Sequence, residues 1–404
     1  MGKYGLPLID LWPQTIPLLE SPGVNKLERS TGLGTPSSSL LGPNVDTLYG
    51  FALFDISASD LIVTIPEVDP SRYWSFAFFD PYVTAFLDPV QANTTRFGDN
   101  FAVLGSIPGS RAGNYTLRWQ RSLDSWPPIE HKDTPTIDSP VAYGILVIRI
   151  LVRNNGTDLA EARQLLDGCD LTEVKCRPHG DFVQPLSLAM FPNLTNISNA
   201  TTILELTART FDACPPVNIT NTSSVVRELR AAGVYGSSYH SPADVNLTAA
   251  SIYALTEVFA LLETGYVALN NGWLRLASQS LFGSDYISRA YASYSIPFGL
   301  ISSEVLYVIN KKGTVSLSND EAYLYTFSSK PPLGTTGFWS LTMYNTQGTL
   351  VANPEDVYAV GDRSNITYPD GTLVYGTNSS DSDGTFQVLV QSSAVPPPAN
   401  WTKK

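Results

Sequence analysis

The hydrophobic period of this chain changes twice, which restricts it to folds in which strands, then helices, then strands follow one another. Asp60-Leu61-Ile62-Val63-Thr64-Ile65-Pro66 is a short β-branched run stopped by proline. Residues 72–79 alternate aromatic and small side chains until Pro81, and Tyr115-Thr116-Leu117-Arg118-Trp119 alternates as well. Residues 141–152 are almost continuously apolar, the pattern of a strand buried on both faces. The period then lengthens. Leu159, Ala162, Leu165 and Leu166 fall at helical spacing, with Thr157 or Asp158 as the cap. Residues 223–232 and 247–269 read as further helices, the second with Ile252, Leu255, Phe259, Leu262 and Tyr266 on a stripe predicted to face the core. Strands return after residue 302, over 322–327, 338–344, 372–375 and 386–390. The predicted class is mainly β with a helical middle (α+β). Antiparallel β-sandwich or jelly-roll modules at 41–153 and 301–404 are joined by a helical segment at 154–300. Residues 1–40, rich in Pro, Gly and Ser and interrupted by Pro7, Pro13 and Pro17, read as an extended arm with little helix.

Composition narrows the partners. The chain has 404 residues, 43% of them hydrophobic and 15% charged, enough apolar material for a large core and too much for disorder. With 25 basic and 37 acidic side chains its net charge is -12, a field that repels nucleic acid. No uncharged run reaches the length of a membrane helix; the 141–152 stretch is too short and contains Arg149.

Twelve Asn-x-Ser/Thr acceptors occur, at Asn93, Asn114, Asn155, Asn193, Asn196, Asn199, Asn218, Asn221, Asn246, Asn365, Asn378 and Asn400. Chance pairing gives roughly four. The excess predicts a secreted, eukaryotic glycoprotein with these positions on the surface. The first 19 residues have no basic region followed by an apolar run, so the chain reads as a mature form without its signal peptide. Cys169, Cys176 and Cys214 suit one disulfide and a spare thiol. The expected bridge is Cys169 to Cys176 across a short loop, although Cys214 is able to partner either.

Motifs for standard chemistries are missing from the sequence. His131, His179 and His240 lack metal-ligand spacing, so neither metal nor cofactor is expected; Asp381 and Asp383 have the spacing of a loop calcium site, but a solvated Asp-Ser-Asp-Gly turn is the favoured reading. The chain has no G-x-S-x-G elbow, no Walker loop and no G-x-G-x-x-G after a strand. What stands out are two polar-aromatic segments: Asn44-Val45-Asp46-Thr47-Leu48-Tyr49 with Asp55, and Arg72-Tyr73-Trp74 through Asp80-Pro81-Tyr82.

The first of these, with the apolar strand 61–66, resembles the N-terminal module of a paired family, catalogued as domains of unknown function twelve-fifty-four and twelve-fourteen. The second module is resembled by an ordered series: Tyr286-Ile287-Ser288-Arg289-Ala290, Glu304-Val305-Leu306-Tyr307, Tyr323, Pro331-Pro332, then Gly337-Phe338-Trp339-Ser340-Leu341-Thr342-Met343-Tyr344. Asn353, Asp370-Gly371 and Asn400-Trp401 close the series. The resemblance covers most of residues 40–150 and 283–402. It implies two β-sandwich or jelly-roll modules joined by helices, in proteins often exported, and carries no reaction with it. The chain departs from the pattern at Asn310-Lys311-Lys312-Gly313, where an aspartate often precedes the glycine, and at Thr402, which creates the Asn400 acceptor.

The expectation is a metal-independent lyase, isomerase or cyclase. Its substrate would be a small hydroxylated or partly apolar molecule in an aromatic-lined groove between the modules. Asp46 or Asp80 would serve as general base, with Tyr49 and Arg289 steadying negative charge. Asn44, Trp74, Tyr82, Tyr307, Trp339 and Tyr344 would line the groove. The competing expectation is a non-catalytic module that binds carbohydrate or a metabolite, with Trp74 and Trp339 as stacking surfaces.

Overall fold

The computed structural model describes residues 2–38, 41–82, 96–97, 103–105, 110–119, 135–153, 156–175, 183–191, 200–215, 222–280, 282–302, 304–310, 317–376, 379, 384–399 and 401. The N-terminal module is a sandwich of two five-stranded sheets. Its strands are β1 (Glu28–Arg29), β2 (Thr47–Asp55), β3 (Ser59–Ile65), β4 (Trp74–Phe79), β5 (Arg96–Phe97), β6 (Val103–Gly105), β7 (Gly113–Trp119), β8 (Thr136–Ser139), β9 (Tyr143–Leu151) and β10 (Asp170–Lys175). One sheet has the order β1-β2-β9-β4-β6 and the other β10-β3-β7-β8-β5. Pairing is antiparallel except around β8, which runs parallel to β5 and β7. Strand β9 sits at the centre of its sheet and is buried at every position, which explains its unbroken apolar sequence.

Alternation along β2, β9 and β4 sorts their side chains onto two faces. Leu48, Ala52, Phe54, Leu146, Ile148, Trp74, Phe76 and Phe78 share one, where the Phe54 and Phe78 rings meet edge to face at 6.3 Å. Tyr49, Phe51, Val147, Arg149, Ser75, Ala77 and Phe79 share the other. Phe298 closes onto this second face against Phe51 and Phe79, at 6.2 and 5.6 Å.

Helices pack beside these strands and on one another. They are α1 (Gly2–Glu20), α2 (Leu159–Asp167), α3 (Ala200–Phe211), α4 (Thr222–Ala231), α5 (Leu247–Phe259), α6 (Leu261–Thr264) and α7 (Tyr286–Ser295). The N-terminal stretch is thus helical for 19 residues where an extended arm was predicted. Each interior proline costs a helix about 3 kcal/mol. Burial of Tyr4, Leu8, Leu11 and Trp12 offsets it, at about 1.5–3 kcal/mol per large apolar side chain, because α1 lies between α3 and α7. Gly5 permits the crossing: a Cβ there would stand 2.1 Å from Thr207 Oγ1 on α3.

The α5 stripe is also corrected. Ile252, Leu255 and Phe259 are exposed, while Ala254 and Val258 face inward; the Leu262 side chain lies outside the described residues. The helix is apolar nearly all round, so periodicity did not choose its inner face. The smaller side chains did, by allowing close approach to α7.

Short strands follow: β11 (Val234–Tyr235) with β12 (Ser238–Tyr239), then a three-stranded sheet of β13 (Tyr266–Ala268), β14 (Trp273–Leu276) and β15 (Val308–Asn310). In the C-terminal module β16 (Ala322–Phe327) pairs β19 (Phe386–Gln391), and β17 (Ser340–Thr342) pairs β18 (Ala359–Gly361). Ile366, Tyr368, Val374 and Phe386 form its core. The strand predicted at 372–375 is reduced to isolated bridges of Leu373 with Thr367 and Ser379.

The expected disulfide is absent. Cys169 and Cys214 are buried free thiols, and Cys176 lies outside the described residues. Cys169 instead donates to Leu165 O at 3.3 Å, just past the end of α2, and burial pushes its thiol up to about 12. No helix among the described residues is long and apolar enough to cross a membrane.

Candidate functional site

The Asn44–Tyr49 segment folds on itself before it enters β2. Asn44 Oδ1 accepts from the backbone N–H of Asp46 and of Thr47, both at 2.9 Å, and from Thr47 Oγ1 at 3.0 Å. A short amide suits such a turn. Asn44 N–H in turn donates to the Tyr49 hydroxyl at 3.1 Å. This locks Asp46 toward the C-terminal module, where its carboxylate accepts from Ser340 Oγ at 2.6 Å and pairs with Arg363. Arg363 also bonds Asp362 at 3.1 Å and lies 5.0 Å over the Phe338 ring. Burial raises the Asp362 carboxyl, and Arg363 opposes that shift. Tyr344 donates to Pro43 O at 2.8 Å, and Tyr73 meets Phe338 edge-on at 5.4 Å. Asn44, Asp46, Tyr49 and Tyr344 therefore form the joint between the two modules.

Behind the joint lies Arg149. On β9 it stands directly between Tyr49 of β2 and Ser75 of β4. Its guanidinium is 5.5 Å over the Tyr49 ring, and Nη2 donates to Phe298 O at 2.9 Å. Phe298 presents that carbonyl from a left-handed backbone, φ 58°, a conformation that costs a bulky residue about 1–2 kcal/mol. Ser280 and Gln279 hold the strained loop by donating to Gly299 O and Leu300 O, each at 2.5 Å. Strain of this kind persists where the surroundings over-determine it, commonly at functional sites.

Among the described residues, Arg149 Nη1, the Tyr73 hydroxyl and Ser75 Oγ meet no partner at strict hydrogen-bonding geometry, although Tyr73 and Ser75 lie close enough to act on each other. Their residues are only 7%, 5% and 0% exposed. Buried groups without an aligned partner cost about 1–3 kcal/mol each. Tyr307 adds a hydroxyl that accepts from Leu300 N–H at 3.2 Å. Burial raises the phenols of Tyr73 and Tyr307, and Arg149 pulls both the other way, so both are protonated at neutral pH. Burial works against the charge on Arg149, while Tyr49, Tyr307 and Tyr73 raise its pKa on balance. Chemically, this is a fixed cation ringed by neutral O–H donors, suited to a carboxylate or to an oxyanion forming beside a carbonyl. Arg149 was overlooked in the sequence as a candidate, although its signal was there. It is the one charge in an apolar run predicted to be buried on both sides.

Asp80, Tyr82 and Arg289 come together elsewhere, around the start of α1. The Arg289 guanidinium lies 4.5, 4.6 and 4.8 Å from the rings of Tyr4, Tyr82 and Tyr286 and donates to Tyr4 O at 2.6 Å. Asp80 Oδ1 accepts from Tyr82 N–H at 2.9 Å, and the Tyr82 hydroxyl meets Thr210 Oγ1 at 3.2 Å. The two tryptophans join neither group. Trp74 points to the opposite face of the sheet from Ser75 and packs on Phe76. Trp339 donates to the Tyr375 hydroxyl at 2.9 Å and packs against Phe327 in the C-terminal core. Asn114, Asn246 and Asn365 are exposed, and the other nine acceptor asparagines lie outside the described residues, as do Asp381 and Asp383. Among the described residues no group of three His, Cys, Asp or Glu side chains is placed to hold a metal ion.

Comparison with known families settles what these two modules are. The family described as protein of unknown function (DUF1254) matches residues 24–173, and protein of unknown function (DUF1214) matches residues 304–403. The chain carries both modules in that order. The joint thus lies between a DUF1254 sandwich, which supplies Asp46, and a DUF1214 module, which supplies Ser340 and Arg363. A crystal structure of the VPA0106 protein from Vibrio parahaemolyticus has a similar fold. Its TM-score is 0.58 at 14% identity, over 96% of this chain and 85% of that one. A protein from Burkholderia cenocepacia aligns over 98% and 78% of the two chains, with a TM-score of 0.39 and 13% identity. No curated protein matches.

Proposed function

We propose that this DUF1254–DUF1214 chain is an exported, metal-independent enzyme of the lyase, isomerase or cyclase kind. It takes a small, partly apolar molecule bearing a carboxylate or carbonyl at the module joint. The observation that supports this reading is the Arg149 cluster: a buried cation with Tyr73, Ser75 and Nη1 groups that lack a well-aligned partner among the described residues, beside a strained Phe298 carbonyl. Arg149 fixes the negative charge and orients the molecule. Tyr73 and Tyr307, protonated at neutral pH, donate to the oxygen on which charge develops. The proton leaving the adjacent carbon passes to Glu304, the carboxylate whose charge is felt at Tyr73. Phe51, Phe79 and Phe298 supply the apolar wall. Asp46, tied to Arg363 and Ser340, holds the site closed and touches no substrate. The proposed export rests on the twelve acceptor sequences; mass loss on enzymatic deglycosylation of protein from a eukaryotic host tests it.

The test of the activity is proton exchange in D2O, followed by NMR over a panel of small keto acids, hydroxy acids and hydroxyketones. The wild-type chain is expected to exchange protons next to the carbonyl of at least one compound. Arg149→Gln should lose that exchange while melting at a similar temperature. If no compound exchanges above the blank, or if Arg149→Gln exchanges as fast as wild type, the reading is wrong.

A further inference from the structure

Helix α5 carries one charged residue in thirteen, Glu257, and that carboxylate is already paired with Lys3. Its inner residues, Ala254 and Val258, pack toward α7. The outer face is the unusual part. A helix at the surface of a globular protein turns polar side chains outward, whereas one apolar all round is normally buried. On α5 the outward residues are Ala249, Ile252, Tyr253, Leu255, Thr256 and Phe259, all of them exposed. Tyr294 of α7, more than half exposed, extends the patch and meets Phe259 edge-on at 5.5 Å. The exposed parts of Ile252, Tyr253, Leu255, Phe259 and Tyr294 amount to on the order of 600 Å². That is the upper end of what a monomer leaves uncovered. It approaches the roughly 800 Å² that each partner gives to a standard interface.

The structure assigns this face to a second copy of the same chain, joined by antiparallel pairing of α5 with itself about a two-fold axis. Ala249, Ile252, Thr256 and Phe259 follow one another at the alternating three- and four-residue spacing of a helix-pair seam. Their sizes alternate along it, small then large. An axis level with residue 254 brings Ala249 opposite Phe259 of the partner subunit and Ile252 opposite Thr256 of the partner subunit, and the symmetry repeats both pairs. Each large side chain therefore meets a small one, as close helix packing requires. Tyr253 and Leu255 flank the seam on its two sides, each beside its own counterpart across the axis. No unpaired charge of α5 faces the seam, whereas elsewhere two copies of net charge -12 repel each other. A membrane surface fits less well, because helices that lie on bilayers carry Lys or Arg along the polar face and α5 has neither. Asn246, which caps the helix, stands about a quarter of a turn round from the seam, so a sugar on it lies at the rim of the pairing.

Sedimentation velocity and light scattering on the full chain, from low to high micromolar concentration, test the assignment. The expected species has twice the mass of one chain. Ile252→Glu and Phe259→Glu should return it to the mass of one chain, since the two-fold axis buries each new carboxylate twice without a partner. Ile252→Ala keeps the helix and should weaken the dimer by about tenfold or more. Leu324→Glu, at an exposed apolar position on β16, is the control and should leave the dimer intact. Circular dichroism and melting temperature show that each variant is folded. The assignment fails if the wild-type chain has the mass of one chain at every concentration. It fails equally if Ile252→Ala and either glutamate variant dimerise like wild type, or if Leu324→Glu abolishes the dimer as completely. Flotation of a monomeric wild-type chain with phosphatidylcholine vesicles would give the face to a membrane instead.

Discussion

Replacing Asp46 by asparagine separates a structural from a catalytic role for the most conspicuous acid in the chain. Asn keeps an acceptor for Ser340 Oγ and removes the charge facing Arg363. The Arg363 and Asp46 side chains are only 16% and 6% exposed, so loss of the pair is felt. Breaking a buried pair costs about 3–5 kcal/mol when the surviving charge is left alone. Here Asp362 remains bonded to Arg363 at 3.1 Å, and the amide oxygen still accepts one hydrogen bond, so about 1–2 kcal/mol is the expected loss. In a chain of this size that is a fall of roughly 2–4 °C in melting temperature. Differential scanning fluorimetry on Asp46→Asn, Arg363→Met and the double variant measures it. Members of one pair should be non-additive, with a coupling of about 1 kcal/mol. A general base would behave differently: Asp46→Asn would melt like wild type, and the two substitutions would add. That result would refute the strut and return Asp46 to the chemistry.

The remaining predictions concern other parts of the fold. Burial raises Asp10 on α1 to about 6, against a bond of 3.0 Å from Ser293 that lowers it. The native state therefore holds a proton that the unfolded chain gives up. This contribution is complete below about pH 4 and is lost as pH rises through 6, by on the order of 2 kcal/mol once partial exposure is allowed for. Asp10→Asn should remove that slope from urea midpoints measured at pH 4 and pH 7; an unchanged slope counts against it. Gly5→Ala should cost about 1–3 kcal/mol, because its methyl meets Thr207 Oγ1, and pairing it with Thr207→Ser should not relieve a clash with the hydroxyl itself. Neither Cys169 nor Cys214 should react with a thiol reagent in the folded protein, since burial raises both thiols; rapid native labelling of either single-cysteine variant would contradict this.

Much of the sandwich was legible because strands write their burial directly into the sequence. The 141–152 run marked a strand buried on both faces, and it became the centre of its sheet. The helix at α1 was hidden because three prolines argue locally against it, while its support comes from α3 and α7, hundreds of residues away. The inner face of α5 was hidden for a related reason: where every face is apolar, size rather than polarity decides which one packs. At the joint, Asn44, Asp46 and Tyr49 were recognisable as a polar segment, yet their partners Ser340 and Arg363 become neighbours only in the fold. Arg149 carried a signal that was read as evidence against a membrane span rather than as evidence for a site. Trp74 is turned into the sandwich by its strand's parity, which composition does not reveal, and Trp339 is drawn onto Phe327 and Tyr375, neighbours only in the fold.

The cage around Arg289 sets a timetable for the growing chain. Arg289 donates to Tyr4 O across a separation of 285 residues, and two of the rings around it, Tyr4 and Tyr286, are nearly as far apart in sequence. At ordinary synthesis rates of about 5–20 residues per second, on the order of 15–60 s pass between the emergence of the first helix and that of its partner. Throughout that interval the face of α1 that packs on α7 has no partner in its final arrangement, and the face that packs on α3 waits for most of it. An apolar segment covered so late is a natural client for a chaperone, and its capture and release would set the pace at which the two ends of the fold come together.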